Sequence, residues 1–311
     1  MVMRHSRAPH NLKSMSRRIL ISGASGLVGT ALTAAFTQAG DEVIALQRSA
    51  TAGTPPWWNP SAGVIDLGEI GSLDAVIHLA GNNVGEGRWT QARKDLIVKS
   101  RVEGTTLLCK AITELPQPPK TLISASASGF YGNRDDQVFQ EQASVGEGFL
   151  AGVCAQWEAA TALADASNMR VVHARLGVVL DPSGGAFKKM LTPFKLGLGG
   201  KLGAGTQYLS WLSLRETVSI MDFLIETPSL SGPVNLVSPN PVQNQELTKQ
   251  LGKALHRPTF MPVPAALLRL LFGEMAEELF LSSRRVAPEK LMQAGYSFQD
   301  PKFADLMKNL S

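Results

Sequence analysis

Three glycines spaced three apart, Gly23, Gly26 and Gly29, punctuate the stretch "ILISGASGLVGTAL" (19–32). With a strand before them and a helix after them, their backbone amides would converge on one spot. That is the chemistry of phosphate cradling. Gly23 permits a tight turn, Gly26 lets the backbone approach a pyrophosphate, and Gly29 lets helix and strand pack closely. The expected contacts to a dinucleotide therefore come from Gly23, Ser25, Gly26, Leu27, Val28 and Gly29.

The kind of dinucleotide is decided some 20 to 25 residues further on. A carboxylate at the end of the second strand would accept hydrogen bonds from the ribose 2′-hydroxyl of NAD. This chain has "LQRS" there, with Gln47 and Arg48. No acid repels a 2′-phosphate and a guanidinium can grip one in a fork, so the expected cofactor is NADP.

The elements that must hold these residues follow from hydrophobic pattern. "RRILISG" (17–23), "EVIALQR" (42–48), "AVIHLAG" (75–81), "KTLISASAS" (120–128) and "RVVHARLGVVL" (170–180) read as nearly continuous apolar strands, as parallel strands covered on both faces do. "GVIDLGE" (63–69) is a further short candidate, and "PVNLVS" (233–238) a strand returning to the sheet. Helical patterns run at about 27–39, 88–114, 150–166, 244–256 and 264–281. The expected fold is α/β, a Rossmann-type doubly wound parallel sheet with a smaller, mostly helical C-terminal substrate domain. Its expected limits are 17–180 with 206–238 for the dinucleotide domain, and 181–205 with 239–311 for the smaller one. Glycine-rich "FKLGLGGKLGAG" (194–205) is either a flap over substrate or an irregular link between the two.

Composition excludes other classes. The 311 residues are 44% hydrophobic and 18% charged, as in ordinary globular chains. No apolar stretch reaches the ~18 residues that span a bilayer. The pI of 9.1 comes from the first 18 residues, which carry five basic residues and no acid. The whole chain is +4, so the remainder sums to −1, which is not the footprint of a nucleic-acid-binding fold. Residues 1–16 form a basic extension expected to be flexible, within which Met15 is an alternative start. Cys109 and Cys154 lack metal spacing and read as buried thiols of a reducing compartment, the cytoplasm.

The combination of "SGASGLVG", "HLAG" (78–81), "GRWTQARKDLIVKSR" (87–101), "SASASGFYG" (124–132), "RLGVVLDPSGGAF" (175–187), "LTPFKLGLGGKLGAGTQYLSWLSL" (191–214) and "GYSFQDP" (295–301) resembles an atypical extended short-chain dehydrogenase/reductase. More narrowly, it is similar to the NAD(P)-dependent epimerase-family branch with a C-terminal domain of unknown function. The resemblance implies that Leu79, Ala80 and Gly81 line the cofactor and that Leu176 lies near the nicotinamide end. It also implies that Arg101 faces the cofactor; a solvated helix charge fits the sequence equally well. A small-molecule substrate or nucleotide sugar is implied, and so is a homodimer, because helix pairs often make dimers in this superfamily.

The departure from that superfamily lies in its proton relay. Active members use Tyr-x-x-x-Lys, in which the lysine lowers the tyrosine pKa. Here Tyr131, Tyr208 and Tyr296 are followed four residues on by Asp135, Leu212 and Asp300. Counting back from Glu158, the tyrosine slot falls on Leu150 and the lysine slot on Cys154; the serine slot falls on Ala127. Tyr131, helped by Ser126 or Ser128, is the substitute acid to consider, although a phenol near pKa 10 is poorly matched and a structural or binding role suits it better. His78 and His173 sit inside strands and read as buried, hydrogen-bonded histidines. Trp89, Arg93 and Lys94 shape either an anion-attracting mouth or a charged helix face, and Trp211 either stacks on ligand or fills the core. Two functions remain open: an NADP-dependent oxidoreductase or epimerase with a non-standard acid, and an NADP-binding redox sensor without turnover.

Overall fold

Alternation of apolar runs and helical patterns becomes, in the computed structural model, one central sheet; the structure describes residues 16–49 and 53–308. The expected basic extension 1–16, Met15 included, lies outside the described residues except for Ser16. The strands are β1 (Arg18–Ser22), β2 (Glu42–Arg48), β3 (Trp57–Asn59), β4 (Val64–Asp66), β5 (Ala75–His78), β6 (Thr121–Ala127) and β7 (Val138–Phe139). Then come β8 (Arg170–Leu176), β9 (Val178–Leu180), β10 (Tyr208–Leu209), β11 (Trp211–Ser213), β12 (Gly232–Leu236), β13 (Val242–Gln243) and β14 (Arg285–Val286). Eight of them form the sheet β12-β8-β6-β5-β1-β2-β3-β4, parallel except where β3 meets β4. The chain runs outward from β1 to β4, then crosses back to β5 on the other side of β1. That reversal opens a crevice beyond the carboxyl ends of β1 and β5, where open α/β sheets bind ligands.

Helices α1 (Leu27–Ala39), α2 (Gln91–Thr113), α3 (Phe149–Ala159), α4 (Ala162–Ala166), α5 (Gly185–Lys195) and α6 (Leu214–Glu226) cover and flank the sheet. Ile19, Ile21, Ile77, Ile123 and Val172 pack on one face with Leu32 of α1 and Ile220 of α6. Leu20, Val76, Leu122 and Val171 pack on the other with Leu108 and Ile112 of α2. Alternate residues of each strand thus serve two cores, which is why the runs lack polar alternation.

After β12 come α7 (Asn244–Ala254), α8 (Ala265–Phe272), a π-helical turn (Ala276–Leu281), α9 (Glu289–Gln293) and α10 (Phe303–Met307). These segments are tied back to the sheet domain. β14 pairs with β7, and β10 with β13.

Five details differ from expectation or are added to it. The 150–166 pattern breaks between α3 and α4, and the 264–281 pattern breaks at Gly273, whose positive φ of 59° ends α8. The 170–180 run divides at Gly177, after which β9 leaves the main sheet to pair with β11. Strand β3 lies in "TPPWWN", where prolines signal a loop; Pro55 and Pro56 precede its first residue, Trp57, and so take no place inside the strand. The glycine-rich 194–205 segment is a link, not a free flap: the Gly203 amide donates to the Val263 carbonyl (2.9 Å) and the Val263 amide to that of Lys201 (2.9 Å).

Candidate functional site

The glycine turn follows directly from β1. Gly23 has φ +73°, and a Cβ there would lie 3.0 Å from the Ala80 amide nitrogen, so turn and β5 end touch backbone to backbone. At Gly29 a Cβ would lie 2.7 Å from Ala24 Cα and 2.9 Å from the Gly23 carbonyl carbon. The first turn of α1 contains no acidic residue, its cap Gly26 offers no side chain, and its opening amides have no intrahelical acceptor. These features together fit a phosphate at the positive end of a helix. Ser25 and Gly26 are exposed, while Leu27 and Val28 are half-buried.

Beside the turn lies a cavity of about 320 Å³ lined by Arg48, Trp58, Pro60, Ala80, Gly81 and Lys99, among others. Arg48 and Gln47 close β2 and are exposed. The structure thus brings Arg48 together with Ala80 and Gly81 in one cavity, and adds residues not singled out from the sequence. Leu96, Lys99, Ser100 and Glu103 all line this cavity from α2. Their spacing of i, i+3, i+4 and i+7 is one helix face, a signal that projection of the 88–114 pattern would have exposed.

Arg101 lies across Gly81. A Cβ on Gly81 would come within 3.3 Å of the Arg101 guanidinium carbon. Its Nη1 donates to the Asn82 carbonyl (2.9 Å) and the Ile97 carbonyl (3.2 Å), and the guanidinium stacks over Trp157 at 4.9 Å. No carboxylate among the described residues pairs with it. Burial depresses its pKa, and nearby Arg93 acts in the same direction. It is therefore not a solvated helix charge.

Tyr131 is fully buried in the short 3-10 turn after β6. Its hydroxyl donates to Asn235 Oδ1 (2.6 Å) and accepts from Arg175 Nη1 (2.9 Å); burial raises its pKa further. Ser126 Oγ donates to Glu158 Oε1 (2.6 Å), and Glu158 is clasped by Arg175 through Nε and Nη2, each at 2.8 Å. Leu150 and Cys154 are both buried on α3, and burial pushes the Cys154 thiol up to about 11. Leu176 ends β8, half-buried. Lys94 pairs with Glu274 (2.7 Å) and Trp89 packs in a core with Ile97 and Leu150, so of the three residues considered for an anion-attracting mouth only Arg93 keeps its charge without a carboxylate partner among the described residues. Trp211 is fully buried, edge-on to Phe303, with Nε1 donating to the Asn240 carbonyl (3.0 Å).

His78 is fully buried between Ser22 Oγ (2.6 Å from Nδ1) and Thr105 Oγ1 (2.9 Å from Nε2). Burial, assisted by Arg101, pushes its pKa down to about 4. A histidine whose folded pKa lies below its unfolded value near 6.5 takes up its proton on unfolding, so stability falls as pH drops from about 6.5 to about 4. Urea unfolding at pH 7 and pH 5 is expected to show that loss, and His78→Gln to flatten the slope. An equal slope in the variant would remove His78 from the pH response.

Residues 19–236 match the model of the NAD dependent epimerase/dehydratase family. The chain belongs to that family. Residues 263–310 match a domain of unknown function, which narrows the branch. An epimerase family protein of Mycobacterium bovis is 44% identical over 281 residues, covering 90% of this chain and 93% of the relative. Human epimerase family protein SDR39U1, whose crystal structure was solved with NADPH, superposes with a TM-score of 0.85 at 33% identity, covering 94% of this chain and 98% of that one. A nucleoside-diphosphate sugar epimerase from Corynebacterium glutamicum gives a TM-score of 0.74 at 34% identity, covering 94% of this chain and 57% of that one.

Proposed function

We propose that this chain is an NADP(H)-dependent oxidoreductase or epimerase acting on a small molecule without a tyrosine acid. The observation that carries the cofactor reading is Arg101, a largely buried guanidinium with no carboxylate partner among the described residues, set over Gly81 beside the glycine turn. A buried unpaired cation is costly, and a bound pyrophosphate would offset that cost. Arg48, in the cavity beside Ala80, is the residue for a 2′-phosphate, and the NADPH held by the human relative supports that choice. The residues offered to the cofactor are Gly23, Ser25, Gly26, Leu27, Val28, Gly29, Gln47, Arg48, Leu79, Ala80, Gly81, Arg101 and Leu176. When bound, the cofactor supplies hydride chemistry; the chain's part is to orient it and exclude water.

Tyr131 and Ser126 belong to the support of this site, since both hydroxyls are engaged in a buried network. The same fact favours a second reading, a cofactor-bound redox sensor without turnover, and so does the apolar character of the Leu150 and Cys154 slots. Two buried free thiols suit a reducing, cytoplasmic setting. Among the described residues, no helix is long and apolar enough to cross a membrane.

Arg101→Ala tests the carrying observation. NADPH affinity measured by calorimetry is expected to fall about tenfold or more, since a charge-assisted hydrogen bond contributes roughly 1.5–3 kcal/mol. Unchanged affinity would return Arg101 to a structural role.

A further inference from the structure

Charge is sorted along the second half of the chain. Residues 182–215 and 247–273 carry nine lysines and arginines and no acid, while the stretch between them, 216–246, carries four acids and no base. Two of the nine are neutralised, Arg215 by Asp300 and Arg269 by Glu277. Lys188, Lys189 and Lys195 on α5, Lys253 on α7 and Arg257 just after it are exposed, and none has a carboxylate partner among the described residues. The two helices share one core through Phe187, Leu191 and Leu251, which holds these cations on one part of the molecule.

The same segments expose large apolar side chains. Phe260 is 75% exposed, Leu270 73% and Leu196 70%. Leu196 and Leu198 follow α5, and Gly200 packs so closely on the Met261 carbonyl that no Cβ fits between them. That contact sets the turn after α5 against the segment leading into α8. Helix α8 reads "AALLRLLF", apolar apart from Arg269. A helix of such composition is ordinarily covered all round. Here Leu268 is buried, while Leu267, Leu270 and Leu271, spaced i, i+3 and i+4, share an open face. Exposed apolar surface of this kind marks an interaction site.

We propose that this face, made by α5, α7 and α8, docks on a membrane bearing anionic lipid, lying on the bilayer without crossing it. The leucines and Phe260 enter the boundary between headgroups and acyl chains, and the unpaired cations meet lipid phosphates. Nucleic acid would match the cations but give Phe260 and Leu270 no apolar partner. A second copy of the chain would cover the leucines but set like charges against each other. The proposal stands apart from the cofactor reading, since none of its residues lies in that site.

Flotation of the full chain with lipid vesicles tests it. Vesicles of phosphatidylcholine mixed with phosphatidylglycerol should carry the protein, phosphatidylcholine alone should not, and added salt should release it. Lys253→Gln with Arg257→Gln should weaken binding about tenfold or more, and so should Leu270→Gln with Leu271→Gln. All four side chains are exposed, so both variants should keep the wild-type melting midpoint. Lys110→Gln with Lys120→Gln removes the same charge from exposed positions elsewhere and should bind as the wild type does. No binding to the mixed vesicles overturns the proposal. Equal binding by both patch variants also overturns it, and assigns the attraction to the basic residues of the first 18. A wild-type dimer in sedimentation that the leucine variant renders monomeric would overturn it in favour of a second copy.

Discussion

Gly29→Ala is expected to abolish measurable NADPH binding and to lower the midpoint of thermal unfolding by roughly 2–12 °C. The new methyl would stand 2.7 Å from Ala24 Cα and 2.9 Å from the Gly23 carbonyl carbon. Both neighbours are backbone, so no side-chain rotation relieves the clash. Either the turn opens or α1 moves away from β1. Overpacking of this sort costs about 1–3 kcal/mol, and each kcal/mol lowers the midpoint of a domain this size by about 2–4 °C. The loss of binding is the larger effect, because the displaced segment carries the amides meant for the pyrophosphate. Gly152→Ala is the matched control. It lies inside α3, where an added Cβ meets nothing within 4 Å, and should raise stability by up to about 1 kcal/mol. Intact NADPH binding by Gly29→Ala would show that the turn does not hold the cofactor.

The second large effect concerns the buried network that joins Glu158 of α3 to Arg175 of β8. Arg175 is 4% exposed and Glu158 10%. Beyond Glu158 and Tyr131, Arg175 donates to the Glu141 carbonyl (3.1 Å) and lies over the Phe130 ring at 3.5 Å. Arg175→Ala leaves the Glu158 carboxylate with no cation clasping it, only the Ser126 hydroxyl, and removes one of the two partners of the Tyr131 hydroxyl. Breaking a buried pair from one side costs about 3–5 kcal/mol, whereas replacing both partners with apolar residues is often neutral. Urea unfolding should therefore show a loss of that size for Arg175→Ala, and a smaller loss for Arg175→Met combined with Glu158→Leu. A single-variant loss below about 1 kcal/mol would mean that water, not Arg175, satisfies Glu158.

What could be read from the chain alone was whatever depends on local order. The β1–glycine–α1 unit is written in consecutive residues, and α1 occupies the expected 27–39 span. The pairing of "HLAG" with that unit follows from strand order, since β5 is the neighbour of β1. The network around Arg175 could not be read in the same way. Its members come from β6, the turn after it, α3, β8 and β12, separated by as many as 104 residues between Tyr131 and Asn235. No local pattern marks such partners, and only the folded sheet brings them together. Tyr131 illustrates the consequence. The sequence leaves it between a substitute acid and the better-suited structural or binding role, and only the fold shows the turn Ser128–Tyr131 swinging the ring inward against Phe139, stacked at 5.3 Å.

One comparison weighs most directly on the whole reading: the heat of binding of NADPH and of NADH to the wild-type chain and to Arg48→Ala. The wild type should take NADPH more tightly than NADH by about tenfold or more, and the substitution should erase that preference while leaving NADH unchanged. Absence of heat with NADPH, or a preference that survives the loss of Arg48, would contradict the account.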